Sequence, residues 1–509
     1  MTEIEFKALA DQGYNRVPLL AECLADLDTP LSVYVKLVDR DKRANSFLLE
    51  SVVGGERFGR YSFIGLPAST QVRAYAEESA EAHIEVITNG KVVETHSGDP
   101  LEFVRSFKAR YNAATRPGLP RFCGGLAGYF GYDLVRFIEP KLGACKKPDL
   151  IGTPDLLLMV TDELAIVDNL QGKLYLLVYA DTQAPEAYSQ AKKRLRELVT
   201  KLASPAIEPV PAPSEEQPVQ RHFAQADYLR AAEKAREYII AGDLMQVQVG
   251  QLMQKPFAHS PLSFYRSLRA VNPSPYMYYY DFGDFQVVGA SPEILVRQEM
   301  VEKTATSKAA TKVTIRPLAG TRKRGNTPAQ DKALADELLA DPKERAEHLM
   351  LIDLARNDIG RIAQIGSVKV TETCVIEKYS HVQHIVSNVD GLLNPDVDAI
   401  DVLRATFPAG TLTGAPKVRA MELIDELELT KRGIYGGACG YLSYSGEMDV
   451  AIAIRTAVIK DGNLFTQAAA GIVYDSSPMA EWQETEAKVR AVIRAAELVE
   501  IGGANASHA

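Results

Sequence analysis

Five prolines, Pro205, Pro209, Pro211, Pro213 and Pro218, fall among acidic and small residues at 204–220. Proline has no backbone N–H and fixes φ, so this stretch cannot supply a helix or a sheet ladder with its donors. Residues 204–221 read as an extended linker between an N-terminal region, 1–203, and a longer C-terminal region, 222–509. Size alone asks for such a division, because 509 residues exceed what one ordinary core encloses.

Ahead of the linker, strand-like runs occur at 31–37, 84–95, 156–160 and 174–179, and Asn89-Gly90 inside the second is a two-residue hairpin signal. Beyond it, 228–241 reads as a helix. Residues 450–459, the turn Asp461-Gly462 and residues 464–466 read as a second hairpin. Pro342 and Pro478 each mark a first helical turn, behind Asp341 and Ser477 as N-caps. Val489, Val492, Ile493 and Ala496 then recur at helical spacing, as expected of a last helix packed on a sheet. Residues 303–312, rich in Lys, Thr and Ala, read as an exposed loop. This order of elements predicts an α+β protein, with large antiparallel or mixed sheets packed as a sandwich and helices outside.

A formal charge of −9 and the absence of a long basic run argue against nucleic acid as a partner, and Thr321-Arg322-Lys323-Arg324-Gly325 is too short to change that. Five cysteines with no CxxC pair indicate neither a disulfide framework nor a zinc site, and reduced thiols suit a cytoplasmic protein. No apolar run reaches bilayer length, and the acidic N-terminus lacks a signal core, so no membrane association is expected. Neither the spacing of residues 410–417 nor Gly124-Gly125-Leu126-Ala127-Gly128 fits a nucleotide-binding loop.

The two proline-led helices carry Glu344 with Glu347 and Glu481 with Glu484. Residues three apart share a helical face, so two such helices facing each other would converge four carboxylates. All-oxygen ligands without Cys or clustered His suit a hard cation such as Mg²⁺. Two solvated helix starts would show the same pattern, since acidic side chains favour a helix N-terminus.

Several segments occur in the order of a known family. They are Arg316-Pro317-Leu318-Ala319-Gly320-Thr321-Arg322, Ala346-Glu347-His348-Leu349-Met350, Leu354-Ala355-Arg356-Asn357-Asp358, Gly410-Thr411-Leu412-Thr413-Gly414-Ala415-Pro416-Lys417, Tyr435-Gly436-Gly437-Ala438 and Ala453-Ile454-Arg455-Thr456. Together they closely resemble the chorismate-utilising enzymes over nearly all of residues 228–495. Leu48-Leu49-Glu50-Ser51 and Arg60-Tyr61-Ser62-Phe63-Ile64-Gly65 resemble the component I family of anthranilate synthases.

The resemblance implies a site. Glu347 and Glu484 would bind Mg²⁺ directly, Glu344 and Glu481 would hold its waters, and Lys488 would face the ring carboxylate of chorismate. Arg455 and Tyr435 would bind the enolpyruvyl carboxylate, helped by the backbone at Gly471 and at Ala469, where the family usually has glycine. Gly410 would border the substrate. Glu293 would be the general acid for the departing ring hydroxyl, with His384 and Thr411 completing the catalytic set. Gln246 stands where water-activating relatives carry lysine, and Ala319 where aminodeoxychorismate synthases usually carry a lysine nucleophile. A glutamine cannot take a proton from water near neutral pH, which favours ammonia as the attacking group.

By that resemblance the chain would convert chorismate and ammonia to anthranilate and pyruvate in tryptophan biosynthesis, with a glutamine amidotransferase subunit as its partner. L-Tryptophan would inhibit at Glu50, Ser51, Pro275, Tyr276, Met277, Cys439 and Tyr441. The alternatives are an aminodeoxychorismate synthase component I and a catalytically weak tryptophan-binding regulator of the same fold.

Overall fold

The computed structural model describes residues 1–52, 59–77, 81–116, 118–301, 310–379 and 382–502. Its frame is a pair of twelve-stranded sheets whose strands pair antiparallel. Alternation along the strands explains the layers. Phe47, Leu164, Ile166, Leu177, Tyr278 and Val287 of the first sheet meet Ala127, Tyr129, Leu157, Met159 and Cys439 of the second in one core between them. Their strand neighbours point the other way. Leu48, Ala165, Leu176 and Met277 pack outward against helices Pro30–Leu37, Ala187–Leu202, Pro261–Val271 and Pro478–Glu500. Leu126, Phe130, Leu156 and Leu158 pack outward against helices Pro100–Lys108, Pro342–Gly360 and Ala399–Thr406. The result is the expected sandwich with helices outside.

The two halves of the sequence share both sheets. Strand Ser46–Glu50 pairs with Tyr276–Asp281, and Gly125–Phe130 pairs with Ala438–Ser443. Close packing explains the glycines there, since a Cβ on Gly125 or Gly128 would lie 2.1 or 2.0 Å from a carbonyl oxygen of Leu442 or Leu157. Residues 205–219 contain no helix or strand, and the stretch is pinned through Arg43 to Glu208 at 2.5 Å and Ser214 N–H to Glu500 O at 2.7 Å. Gln220–Arg221 leaves the linker and pairs with strand Gln246–Pro256.

The Asn89-Gly90 hairpin forms as expected, with both turn residues left-handed, and Asp461-Gly462 makes the expected left-handed turn, joining Thr456–Lys460 to Asn463–Ile472. Three expectations fail. Residues 31–37 belong to a helix, because Pro30 occupies its first turn and Thr29 with Ser32 forms a capping box. The run 450–459 is two strands in different sheets, Met448–Ile452 and Thr456–Lys460, with the chain crossing between layers at Arg455. Of the exposed loop at 303–312, residues 303–309 lie outside the described residues, whereas Ala310–Ile315 is a strand paired with Val382–Leu392.

Candidate active site

Helices Pro342–Gly360 and Pro478–Glu500 start beside one cleft of about 1040 Å³. Asp341 caps the first by accepting from the Lys343 and Glu344 N–H groups, while Ser477 makes no side-chain cap on the second. The cleft brings together Gln246, Glu293, Glu344, Glu347, His384, Thr411, Tyr435, Arg455, Ala469, Gly471, Glu481, Glu484 and Lys488. Gly410 instead lines a cavity of about 30 Å³ that shares Glu293 and Thr411 with the cleft.

The acidic wall is only partly neutralised. Burial and the neighbouring Glu347 raise the pKa of Glu344, and burial with Glu484 raises that of Glu481, against an opposing hydrogen bond from Arg322 and from Ser476 respectively. Gln246 Nε2 donates to Glu347 at 3.1 Å. Lys488 Nζ donates to the Ala469 carbonyl at 2.8 Å and pairs with Glu484 at 2.8 Å. Among the described residues no group of three or more His, Cys, Asp or Glu is placed to hold a metal ion on its own. Two direct carboxylates with water and an anionic ligand remain a suitable set for Mg²⁺, which keeps several waters.

The same cleft is also lined by Arg455 and Tyr435. Arg455 has φ +50°, the bend that swings its guanidinium from the inter-sheet crossing into the cleft. Burial lowers its pKa, and among the described residues no hydrogen bond or ion pair satisfies it. A half-buried, unpaired guanidinium calls for an anion. Burial also pushes up the Tyr435 phenol, keeping it a neutral donor. Ala469 lies in the extended strand Asn463–Ile472 opposite Gly250, so its methyl group meets no left-handed backbone demand. Gly471 is different, because a Cβ there would sit 2.5 Å from Gln246 Nε2 and 2.8 Å from Gln248 Nε2.

Glu293 follows the strand Phe285–Ser291, and Ser291 Oγ braces the turn by donating to the Ile452 carbonyl at 2.7 Å. Burial raises the Glu293 carboxyl to about 8, opposed by Thr411, the Leu318 amide and Arg455. The Thr411 hydroxyl is itself buried and falls short of a well-formed hydrogen bond. His384 is held neutral by burial, which lowers it to about 4. Its Nδ1 lies 2.9 Å from the carbonyl of Gly320, whose φ of +65° turns that oxygen inward. A carbonyl only accepts, which assigns the proton to Nδ1 and leaves the Nε2 lone pair free.

Sequence reasoning missed Gln248, Thr321 and Tyr379. Tyr379 stands edge-on to His384 at 5.4 Å and lines the cleft with it. No local spacing marks these residues, since only the strand pairing brings them in.

The residues expected to bind tryptophan do not form one wall. Glu50 and Met277 face each other across paired strands on the outer, helix-covered side, where Glu50 accepts from Tyr265 at 2.5 Å and Arg269 at 2.7 Å. Cys439 and Tyr441 face the inter-sheet core. Tyr276 Oη donates to Asp449 at 3.2 Å, and Pro275 and Tyr276 border a cavity of about 10 Å³ with Pro292 and Tyr379. Ser51 follows Glu50 at the strand end and is half-buried.

A sequence model of the chorismate binding enzymes matches residues 46–494. The chain belongs to the chorismate binding enzyme family. It is 53% identical to anthranilate synthase component 1 of Neisseria meningitidis over 501 residues, covering 98% of each chain. The identity to the Pseudomonas aeruginosa component 1 is also 53%, over 506 residues, covering 98% of this chain and 99% of the relative. Among solved structures, anthranilate synthase component I of Streptococcus pneumoniae superposes with TM-score 0.74 at 36% identity, covering 93% of this chain and 99% of that one. The menaquinone-specific isochorismate synthase of Escherichia coli shares the fold, with TM-score 0.69 and 19% identity over 97% and 99% of the chains. Among the described residues no helix is long and apolar enough to cross a membrane.

Proposed function

We propose that this chain is the chorismate-converting subunit of an anthranilate synthase, joining ammonia to chorismate and releasing pyruvate. The observation that carries the reading is that one cleft is lined by the unpaired Arg455, by Glu344, Glu347, Glu481 and Glu484, and by the buried Glu293, whose carboxyl is raised to about 8. Arg455, Tyr435 and the backbone at Ala469 and Gly471 bind the enolpyruvyl carboxylate, and Lys488 faces the ring carboxylate. Ammonia adds at ring C2, and the C4 hydroxyl leaves as water with the proton of Glu293. The C2 proton then passes to Nε2 of His384, the C3–O bond breaks, and the enolpyruvyl group takes up a proton to leave as pyruvate. Aromatisation drives this second stage.

Glu347 and Glu484 would hold Mg²⁺ directly, with Glu344 and Glu481 on its waters. Their excess negative charge fits that role, and the bound ion would act as a Lewis acid that withdraws electron density from the substrate. Gln246 cannot activate water, and Ala319 offers no nucleophile, which supports ammonia as the attacking group. A glutamine amidotransferase subunit would supply it in the cytoplasm. Tryptophan would inhibit at the end of strand Ser46–Glu50 beside Pro275 and Tyr276, with its amine displacing Arg269 from Glu50.

Incubating the chain with chorismate, Mg²⁺ and an ammonium salt, while following anthranilate fluorescence and pyruvate together, tests the reading. Equal yields are expected. An aminated product that keeps its enolpyruvyl group would reassign the chain to aminodeoxychorismate synthesis, and tryptophan binding without turnover would make it a regulator.

A further inference from the structure

The charge of the cleft is opposite to that of the chain. With Glu293 protonated and His384 neutral, its carboxylates are Glu344, Glu347, Glu481 and Glu484, while Lys323, Lys343, Arg455, Lys488, Arg490 and Arg494 supply positive charge. The whole chain carries a formal −9. A dicarboxylate approaching such a protein is repelled at long range and needs a local reason to enter. Arg455, Lys488 and Arg494 do not supply it at the entrance. Arg455 is half-buried within the cleft, Lys488 pairs with Glu484, and Arg494 pairs with Glu497.

Lys323, Lys343 and Arg490 remain. All three are exposed, line the cleft and have no ion-pair partner among the described residues. They rise from three separate elements: strand Leu318–Lys323, the first turn of helix Pro342–Gly360 and the fourth turn of helix Pro478–Glu500. The charge of Lys343 also acts on Glu481 of helix Pro478–Glu500. Ammonium and guanidinium groups left unpaired at one opening would ordinarily be drawn to nearby carboxylates, which are abundant in an acidic chain.

We infer that Lys323, Lys343 and Arg490 form an electrostatic capture ring that draws a dianionic dicarboxylate into the cleft. The inference rests on the proposed reading only for which dicarboxylate that is. The ring acts before chemistry, so it governs kcat/KM and its salt dependence rather than kcat.

The test compares the unchanged chain with Lys323→Gln/Lys343→Gln/Arg490→Gln. A control of equal net charge, Lys91→Gln/Lys193→Gln/Lys369→Gln, alters exposed lysines remote from the cleft lining. At low ionic strength the ring variant should lose about tenfold in kcat/KM for chorismate with kcat unchanged, and the loss should fade at about 0.5 M salt, where the screening length is only a few ångströms. An equal loss in the control, or a loss that salt does not reduce, overturns the ring. If the unchanged chain does not turn over chorismate, the proposed reaction fails while the ring stays testable. Association of 1,3-benzenedicarboxylate, read by stopped-flow fluorescence of the lone Trp482, should then slow by the same factor in the ring variant alone. An unchanged rate would overturn the ring there too.

Discussion

Replacing Glu293 by glutamine removes a carboxyl that burial keeps protonated near neutral pH, and its effect on stability can be worked out in advance. Burial raises this carboxyl from 4.5 to about 8. A group whose folded pKa is raised stabilises the fold below its unfolded pKa, and that contribution is lost as pH rises through the folded value. At about 1.4 kcal/mol per tenfold change in proton affinity, the loss between pH 4.5 and 8 approaches about 5 kcal/mol, which relaxation of the site reduces. Glutamine matches the shape and never ionises. The variant should therefore unfold at much the same temperature as the unchanged chain near pH 5 and become progressively the more stable of the two toward pH 9. Thermal midpoints recorded across that range measure the difference directly. A gap between the two proteins that does not change with pH would refute both the burial argument and the proton held on Glu293. Activity should fall by at least about a hundredfold, the ordinary scale of a lost general acid.

Gly471→Ala would push the Gln246 and Gln248 amides aside, costing about 1–3 kcal/mol by overpacking and breaking the Gln246 bond to Glu347. Steady-state kinetics should show kcat/KM lowered by about tenfold or more, as expected when a positioning contact moves. Arg432→Ala removes the partner of buried Glu428, 2.6 Å away, and the donor to Leu412 O at 2.7 Å, so unfolding should show a loss of about 3–5 kcal/mol. Glu50→Gln weakens the hold on Arg269 and Tyr265, and calorimetry with L-tryptophan should show a weaker or absent site. Unchanged tryptophan affinity would remove Glu50 from that role.

The legible parts of the fold were those with local chemistry. Pro342 behind Asp341 and the Asn89-Gly90 turn mark their own positions, because φ-fixing proline, a capping carboxylate and left-handed turn residues act within a few bonds. The same kind of signal was present at 30–37, where Pro30, Val33, Tyr34 and Leu37 are buried at helical spacing behind the Thr29 cap. The β-favouring Val33, Tyr34 and Val35 masked it. The split of 450–459 carried no Gly or Pro to announce it, and the left-handed conformation falls on Arg455, a residue for which it is uncommon. Strain at that point places the guanidinium in the cleft. The glutamate pairs and Arg455 could be named from motifs, whereas Tyr379 and Gln248 join the site only through sheet register. Register also separates Glu50 and Met277 from Cys439 and Tyr441, because alternate strand residues face opposite layers.

The central claim is that one cleft holds a divalent ion on Glu347 and Glu484 and a carboxylate on Arg455. Crystals grown with Mn²⁺ in place of Mg²⁺, together with anthranilate and pyruvate, test it most directly. The account predicts an anomalous peak within coordination distance of Glu347 and Glu484, and the pyruvate carboxylate against the Arg455 guanidinium. Metal bound elsewhere, or a pyruvate that leaves Arg455 unpaired, would contradict it.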